Sequence, residues 1–271
     1  MKLLIGALLV GVATAFAPSS PVAHRAATKS SLSMETKADL STLAVKLNPL
    51  VKFYDPLGLA DQEFWGLSNE ATIGWIRESE VKHGRIAMFA FVGYIVHANH
   101  ITWPWPMMLD GTPFPKVDTA PEAWDAIPDS AKLQIFTAIG FFEFWREAAC
   151  EKHYMSGGKI GEMPPFFGGH PSLYDPLKLN TKLSAEDKER KLVVEVNNGR
   201  LAMLGIMGFL AESKLEGSVP FLSRFIKHYD GDYMVPLAKS IIPDASALAF
   251  PAVTFSLFLF SLQKKVAAST K

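Results

Sequence analysis

Two nine-residue segments of the chain repeat one pattern of ionisable and neutral donor residues. Residues 80–88 read EVKHGRIAM, and residues 195–203 read EVNNGRLAM. Each segment places a glutamate, a histidine or asparagine, and an arginine at the start of a strongly apolar run. Ionised groups beside such a run are costly unless they are paired with each other or used in function. The repeated segments are therefore the main functional signal of the chain.

A second repeated phrase stands ahead of each copy. Residues 54–59 read YDPLGL, and residues 174–179 read YDPLKL. The same two phrases in the same order imply a duplicated unit. The spacing between copies is far longer than the 20 to 50 residues of solenoid repeats. We therefore predict two equivalent helices related by pseudo-twofold symmetry.

Helix geometry gives the charged residues of the repeat a structural role. Glu80 and Arg85 are separated by ~140° around the helix and ~7.5 Å along it, so they cannot pair well with each other. If two equivalent helices cross here, Glu80 can meet Arg200 while Glu195 meets Arg85, with an arginine fork facing each carboxylate. Glycines within the copies, Gly84 and Gly199, and beyond them, Gly93 and Gly208, would allow the two helices to approach closely.

The neutral residues of the repeat offer lone pairs. His83 and Asn198 lie three residues after the glutamates, on nearly the same side of each helix. Nitrogen and oxygen donors of this kind suit Mg²⁺, and one oxygen of each glutamate is expected to remain available beside its arginine. Because the donors are ringed by apolar residues, they suit an axial position on a metal held in a macrocycle. The alternative is that Glu80, Arg85, Glu195 and Arg200 form structural ion pairs only, and that His83 and Asn198 bond between helices.

Composition excludes several classes of protein. The 27 basic and 27 acidic residues give a net charge of zero, and no basic stretch suggests nucleic acid. The single Cys150 excludes an intramolecular disulfide and a cysteine metal cluster. The sequence shows no nucleophile and base pair and no glycine-rich phosphate loop. We therefore predict a protein that is not an enzyme.

The first 33 residues have the composition of a targeting sequence. Residues 1–15 combine Lys2, an apolar run and a small-residue end, which predicts a signal peptide. Residues 16–33 are rich in Ser and Ala and lack acidic residues, which predicts a transit peptide and a mature chain that begins near Met34. The alternative is a simple secreted protein with a flexible start.

Apolar patterning predicts an all-α membrane protein with three long helices. We place these helices at about 71–98, 129–152 and 186–213. A proline-rich and tryptophan-rich loop joins the first two helices and suits a membrane interface. A short amphipathic helix is expected at 219–228, and 246–262 is predicted to be a peripheral or partly inserted helix.

The doubled motif and its preceding phrase resemble the light-harvesting chlorophyll-binding superfamily over residues 54–228. The resemblance implies three membrane-spanning helices, the first and third crossed and the middle one separate. With this resemblance, we predict a chlorophyll-binding domain at residues 34–228. Residues 229–271 are predicted to be a C-terminal extension that docks to a photosystem or a neighbouring antenna.

The resemblance also implies a set of ligand residues. Arg85 and Arg200 would bridge to the opposite glutamates. Axial ligands to chlorophyll magnesium would be Glu80, His83, Gln134, Glu143, Glu195 and Asn198, with Glu212 and His228 as less regular members. Glu212 stands where family members often have glutamine. On the middle helix, Gln134 and Glu143 face opposite sides, and Arg146 is three residues from Glu143, which allows a local ion pair.

The phenylalanine after the signal peptide and the phrase EVKHGR look like the chlorophyll a/c type of diatoms and related algae. That likeness implies chlorophyll a, chlorophyll c, fucoxanthin or a related ketocarotenoid, and a diadinoxanthin-type xanthophyll. It implies a multi-pass protein of the plastid (chloroplast) thylakoid membrane, in contact with thylakoid lipids and a photosystem core (I or II). The expected function is light harvesting with excitation transfer to a photosystem. The alternatives are photoprotective quenching within the same family and a membrane transporter with paired intramembrane charges.

Overall fold

The computed structural model describes residues 35–164 and 182–233. Every regular element in these two ranges is helical. The α-helices are α1 (Lys37–Leu47), α2 (Asn69–Ala98), α3 (Ala120–Ala126), α4 (Asp129–Ala149) and α5 (Ala185–Lys214). The predicted targeting segments, the second YDPL phrase and the predicted helix at 246–262 lie outside the described residues.

The three long helices occupy the positions that apolar patterning predicts. α2 and α5 each have 30 residues, and α4 has 21. Each of the two equivalent helices begins at a serine whose hydroxyl accepts a backbone N–H three residues on: Ser68 from Ala71 and Ser184 from Asp187. α4 begins after Pro128, which provides no side-chain cap. Among the helices in the described ranges, none combines the length and the apolar composition needed to cross a membrane.

α2 and α5 pack against each other at the glycines inside the two repeated segments. A Cβ atom added to Gly84 would lie 3.0 Å from the Cα atom of Gly199, and one added to Gly199 would lie 2.8 Å from that of Gly84. Above this point, Phe91 of α2 stacks on Phe209 of α5, with ring centroids 4.7 Å apart. Backbone contact at the glycines thus fixes where the two helices cross.

The other two glycines of the repeat do not lie at this contact, contrary to the prediction. A Cβ atom on Gly93 would meet nothing within 4 Å, and one on Gly208 would meet only Leu222 and Val219 at ordinary distances. Gly205 takes their place, because a Cβ atom there would lie 2.8 Å from the ring of Phe91. The helices diverge from their crossing, so only glycines close to it are brought together.

α4 is joined to α2 by buried charges near its C-terminal end. Arg146 donates to both carboxylate oxygens of Glu78 at 3.2 and 3.3 Å, and Glu78 also accepts the N–H of Gly161 at 2.7 Å. The predicted local pair of Arg146 with Glu143 is therefore wrong. Glu143 instead accepts from Lys82 of α2 at 2.5 Å. Arg146 pairs with the buried Glu78, which is 68 residues away in the sequence, so local spacing could not predict this partner.

The N-terminal arm is held against α5. Lys46 pairs with Glu189, and the amide of Asn197 donates to the carbonyl of Leu47 at 3.2 Å. Since Asn197 lies inside the second repeated segment, α1 packs beside the crossing of α2 and α5.

The segment after α5 is not the regular amphipathic helix predicted at 219–228. Residues 219–226 form consecutive turns, with Leu222 N–H donating to Val219 and Phe225 N–H to Leu222, both at 2.8 Å. Tyr229 then donates its N–H to Ser213 at 2.7 Å, which folds the segment back on α5.

The contact between Gly84 and Gly199 predicts that two glycine-to-alanine substitutions change the stability of the chain in opposite directions. We expect Gly199→Ala to destabilise the folded chain by about 1–3 kcal/mol, because the new methyl group meets backbone of α2. Gly93→Ala is the matched control, since the same change in open space gains helix propensity of up to ~1 kcal/mol. Thermal unfolding followed by circular dichroism measures both. Equal shifts for the two variants would contradict the close crossing.

Candidate functional site

Two reciprocal ion pairs surround the glycine contact. Arg85 Nε donates to Glu195 Oε1 at 2.6 Å, and Arg200 Nε donates to Glu80 Oε1 at 2.7 Å. Arg200 Nη2 also lies 2.6 Å from Glu80 Oε1. Both interhelical pairs expected from helix geometry are present. Each glutamate therefore carries an arginine from the opposite helix, as a charge-balanced crossing requires.

The two glutamates differ in their remaining contacts. Glu80 Oε2 accepts from Arg77, a buried residue of α2 that also donates to Glu35 at 3.2 Å. Both oxygens of Glu80 are therefore engaged by arginines, whereas one was expected to remain available. On the other side of the crossing, Arg85 also donates to the carbonyl of Gly161 at 2.6 Å. The two ion pairs are thus related by pseudo-symmetry, but the further residues that contact them differ.

Glu35 links the N-terminal arm to this cluster. Burial raises the pKa of the Glu35 carboxyl, while the adjacent Arg77 guanidinium opposes the rise. Arg77 therefore pairs with two carboxylates, Glu80 on its own helix and Glu35 on the N-terminal arm.

His83 has one ring nitrogen fixed by α2 itself. Nδ1 lies 2.7 Å from the carbonyl oxygen of Ser79. A carbonyl can only accept, so Nδ1 carries a proton, and in the neutral imidazole the lone pair is on Nε2. This is the arrangement by which a backbone carbonyl orients a histidine that ligates a metal. The side chain is exposed, so the lone pair is accessible.

Apolar side chains surround the donor on each helix at equivalent positions. Ile86 and Phe89 of α2 are 67% and 73% exposed, and their counterparts Leu201 and Leu204 of α5 are 50% and 74% exposed. Asn198 lies on α5 beside them, and its side chain makes no hydrogen bond to another described residue. A lone-pair donor on a bare apolar surface fits a hydrophobic ring that carries its own metal better than it fits a hydrated cation.

α4 presents its two predicted ligands on opposite faces. Gln134 is exposed and makes no side-chain hydrogen bond within the described ranges, while Glu143 is exposed and paired with Lys82. The helix is covered with exposed apolar residues, which are Leu133, Ile135, Phe136, Ile139, Phe141, Phe142 and Phe144. Its surface therefore resembles the donor faces of α2 and α5.

Glu212 occupies a polar cage made by the backbone after α5. Its Oε1 accepts the N–H of Gly217 at 2.8 Å, and its Oε2 accepts the N–H of Val219 at 2.6 Å and the hydroxyl of Ser218 at 3.3 Å. The side chain is buried. These neutral donors stabilise the carboxylate in place of the arginine that the sequence does not provide, and they tie it to the turn.

His228 lies apart from the crossing on the exposed segment after the turns. Its Nε2 is 3.0 Å from Asp230 Oδ1. The structure thus brings together Glu80, His83, Arg85, Glu195, Asn198 and Arg200. Glu143 contacts the first repeated segment through Lys82, and Gln134, Glu212 and His228 lie elsewhere.

Sequence reasoning missed three residues that support the site. The second copy has no counterpart of Arg77, Glu78 or Glu35, so the repeat does not identify them. The available signal was the spacing of Arg77, three residues before Glu80 on the same helix face. The partners of Glu78 and Glu35 are distant in sequence, and no local pattern identifies them.

Comparison with known proteins is consistent with this geometry. Residues 39–214 match the family model described as chlorophyll A-B binding protein. A fucoxanthin-chlorophyll a-c binding protein, chloroplastic, of Trieres chinensis is 35% identical over 83% of this chain and 100% of its own length. Fucoxanthin-chlorophyll a-c binding protein B, chloroplastic, of Phaeodactylum tricornutum is 32% identical over 79% of this chain and 96% of its own.

The family match spans both copies of the repeated motif, the helices α2 to α5 and most of α1. The resemblance deduced from that motif is therefore confirmed. The protein belongs to the chlorophyll a-b binding protein family.

Proposed function

We propose that this chain is a light-harvesting antenna protein that binds chlorophylls and carotenoids and passes excitation energy to a photosystem. The observation that carries the proposal is the donor face of α2, where His83 holds an oriented lone pair beside exposed Ile86 and Phe89. The equivalent face of α5 presents Asn198 beside Leu201 and Leu204. An oriented donor on an apolar surface is what an axial ligand to chlorophyll magnesium requires.

The names of the relatives support the pigment types. Proteins 35% and 32% identical to this chain are named fucoxanthin-chlorophyll a-c binding and chloroplastic. We assign chlorophyll a, chlorophyll c and fucoxanthin to this chain, with a diadinoxanthin-type xanthophyll as a further carotenoid. The protein acts in the plastid, and its partners are a photosystem core and neighbouring antenna proteins.

The long helices support a thylakoid arrangement of three spans, with α2 and α5 crossed and α4 separate. Thirty residues give a helix of ~45 Å and 21 residues give ~31 Å, compared with ~30 Å of hydrocarbon in a bilayer. The charges within α2 and α5 are paired across the crossing, which lowers the cost of placing them in lipid.

Each donor has a distinct role in this proposal. His83 and Asn198 ligate through an accessible lone pair, and Gln134 and Glu143 do so from opposite faces of α4. Glu80 and Glu195 ligate through lone pairs that the arginines leave open, since each carboxylate oxygen has two. Glu212 and His228 are the weakest candidates, because the polar cage and Asp230 already engage them.

The bound pigments supply light absorption and excitation transfer, and the chain supplies their spacing, orientation and surroundings. The ion pairs and the glycine contact hold the donor faces of α2 and α5 at one fixed crossing. The exposed apolar residues bury against the rings and exclude water from the magnesium. This function requires no catalytic residue.

The function is tested by purifying the protein with its pigments and recording absorption and fluorescence excitation spectra. We expect a red chlorophyll absorption band and chlorophyll fluorescence excited through carotenoid absorption, because the helices hold the pigments close together. A folded protein without chlorophyll would contradict the proposal. Chlorophyll emission that carotenoid excitation cannot produce would contradict the antenna role.

The ligand role of His83 is tested by two substitutions. His83→Leu is expected to lose one chlorophyll per chain, because it removes the Nε2 lone pair and keeps an apolar side chain. His83→Gln is the matched control and should retain that chlorophyll, since its side-chain oxygen reaches a similar position. Pigment extraction and chromatography give the count. A full complement in His83→Leu would remove this residue from the ligand set.

A further inference from the structure

Two adjoining cavities lie beyond the C-terminal end of α2. They have volumes of about 580 and 540 Å³ and share four wall residues: Ile101, Thr102, Trp103 and Phe114. α3 and the start of α4 also line the larger cavity, through residues such as Ala123 and Ile135. A volume of this size is within the range of small-molecule sites.

The wall of the larger cavity is apolar and contains flat rings. Trp103, Phe114 and Trp124 contribute aromatic surfaces, and no side chain in the wall is an acid, a lysine or an arginine. Its polar side chains are His97 and Thr102. Trp103 is 63% exposed and stacks on Trp105 at 4.8 Å, so a tryptophan pair presents an open surface. Such a wall favours a flat apolar ligand that has one polar attachment point.

His97 differs from the other histidines that the structure describes. His83 bonds to a backbone carbonyl, and His100, His153 and His228 each lie within 3.5 Å of a carboxylate. The exposed imidazole of His97 has no hydrogen bond or ion pair to any described residue. An imidazole without a hydrogen-bond or ion-pair partner among the described residues, in the wall of an apolar cavity, is available as a ligand.

The chemistry of the wall selects the kind of metal that His97 would meet. A hydrated divalent cation needs several oxygen ligands, and the described residues contain no cluster of three or more histidine, cysteine, aspartate or glutamate side chains suited to a metal. One imidazole can complete only a metal whose other positions are already filled. A flat macrocycle that holds Mg²⁺ has this property and also fills an aromatic cavity.

We propose that this cavity binds an additional magnesium tetrapyrrole, with His97 Nε2 as its axial ligand and Trp103 against the ring. The inference rests on the proposed pigment-binding function and adds a site outside the crossing. His97 and Glu212 hold equivalent positions, each twelve residues after the arginine of its copy. Glu212 is bound by backbone N–H groups, whereas His97 faces a cavity. The duplicated position has thus diverged into a turn anchor and a ligand.

The test is reconstitution of the full chain with chlorophylls and fucoxanthin, followed by pigment counting. His97→Leu is expected to lose one chlorophyll per chain, and His97→Gln to retain it, because glutamine provides a donor at similar reach. His100→Leu is the matched control. It lies three residues away and contacts Asp118, and its removal should leave the count unchanged.

The possible outcomes separate the two proposals. Wild-type protein that binds no chlorophyll would overturn the proposed function together with this site. A wild-type complement in His97→Leu, with pigment bound elsewhere, would overturn only this site. Loss of a carotenoid instead of a chlorophyll would also overturn it. If His97→Leu does not fold, Trp103→Leu decides: a changed chlorophyll circular dichroism spectrum supports the site, and an unchanged one contradicts it.

Discussion

The structure depends on the crossing of α2 and α5, where two arginine–glutamate pairs flank a backbone contact between Gly84 and Gly199. Each arginine lies within 2.7 Å of a carboxylate on the opposite helix. Removing one partner would leave an uncompensated charge beside apolar surface, which is more costly than never having the pair. The reciprocal pairs therefore specify one register for the two helices, and this register places His83 and Asn198 on outward faces.

The residues that surround the crossing differ between its two ion pairs. Arg77 and Glu35 reinforce Glu80, while the loop carbonyl of Gly161 reinforces Arg85. Gly161 also donates its N–H to Glu78, the partner of Arg146 on α4. One loop residue thus joins the crossing to the middle helix. A duplicated helix pair becomes an asymmetric scaffold through residues outside the duplication, and the donor faces can hold pigments in different surroundings.

Much of this arrangement could be predicted because it is repeated or periodic. The bounds of the long helices follow from apolar patterning. The reciprocal pairs and the contact between Gly84 and Gly199 follow from the spacing of Glu80 and Arg85 and from the second copy. The rest depends on partners that neither the repeat nor helical spacing specifies. Arg146 pairs with Glu78 instead of its near neighbour, and Glu212 is satisfied by backbone N–H groups of a following turn. Neither partner choice has a local sequence signal.

The most direct test of the central claim is a double-mutant cycle on Arg85 and Glu195, measured by the unfolding free energy of the folded chain. Arg85→Leu, Glu195→Gln and the double variant give the coupling energy. The same cycle on the exposed pair of Arg190 and Asp187 is the reference, for which ~0–1 kcal/mol is expected. A clearly larger coupling at the crossing is the predicted result. A coupling no larger than that of the exposed pair would show that the crossing does not depend on its charges.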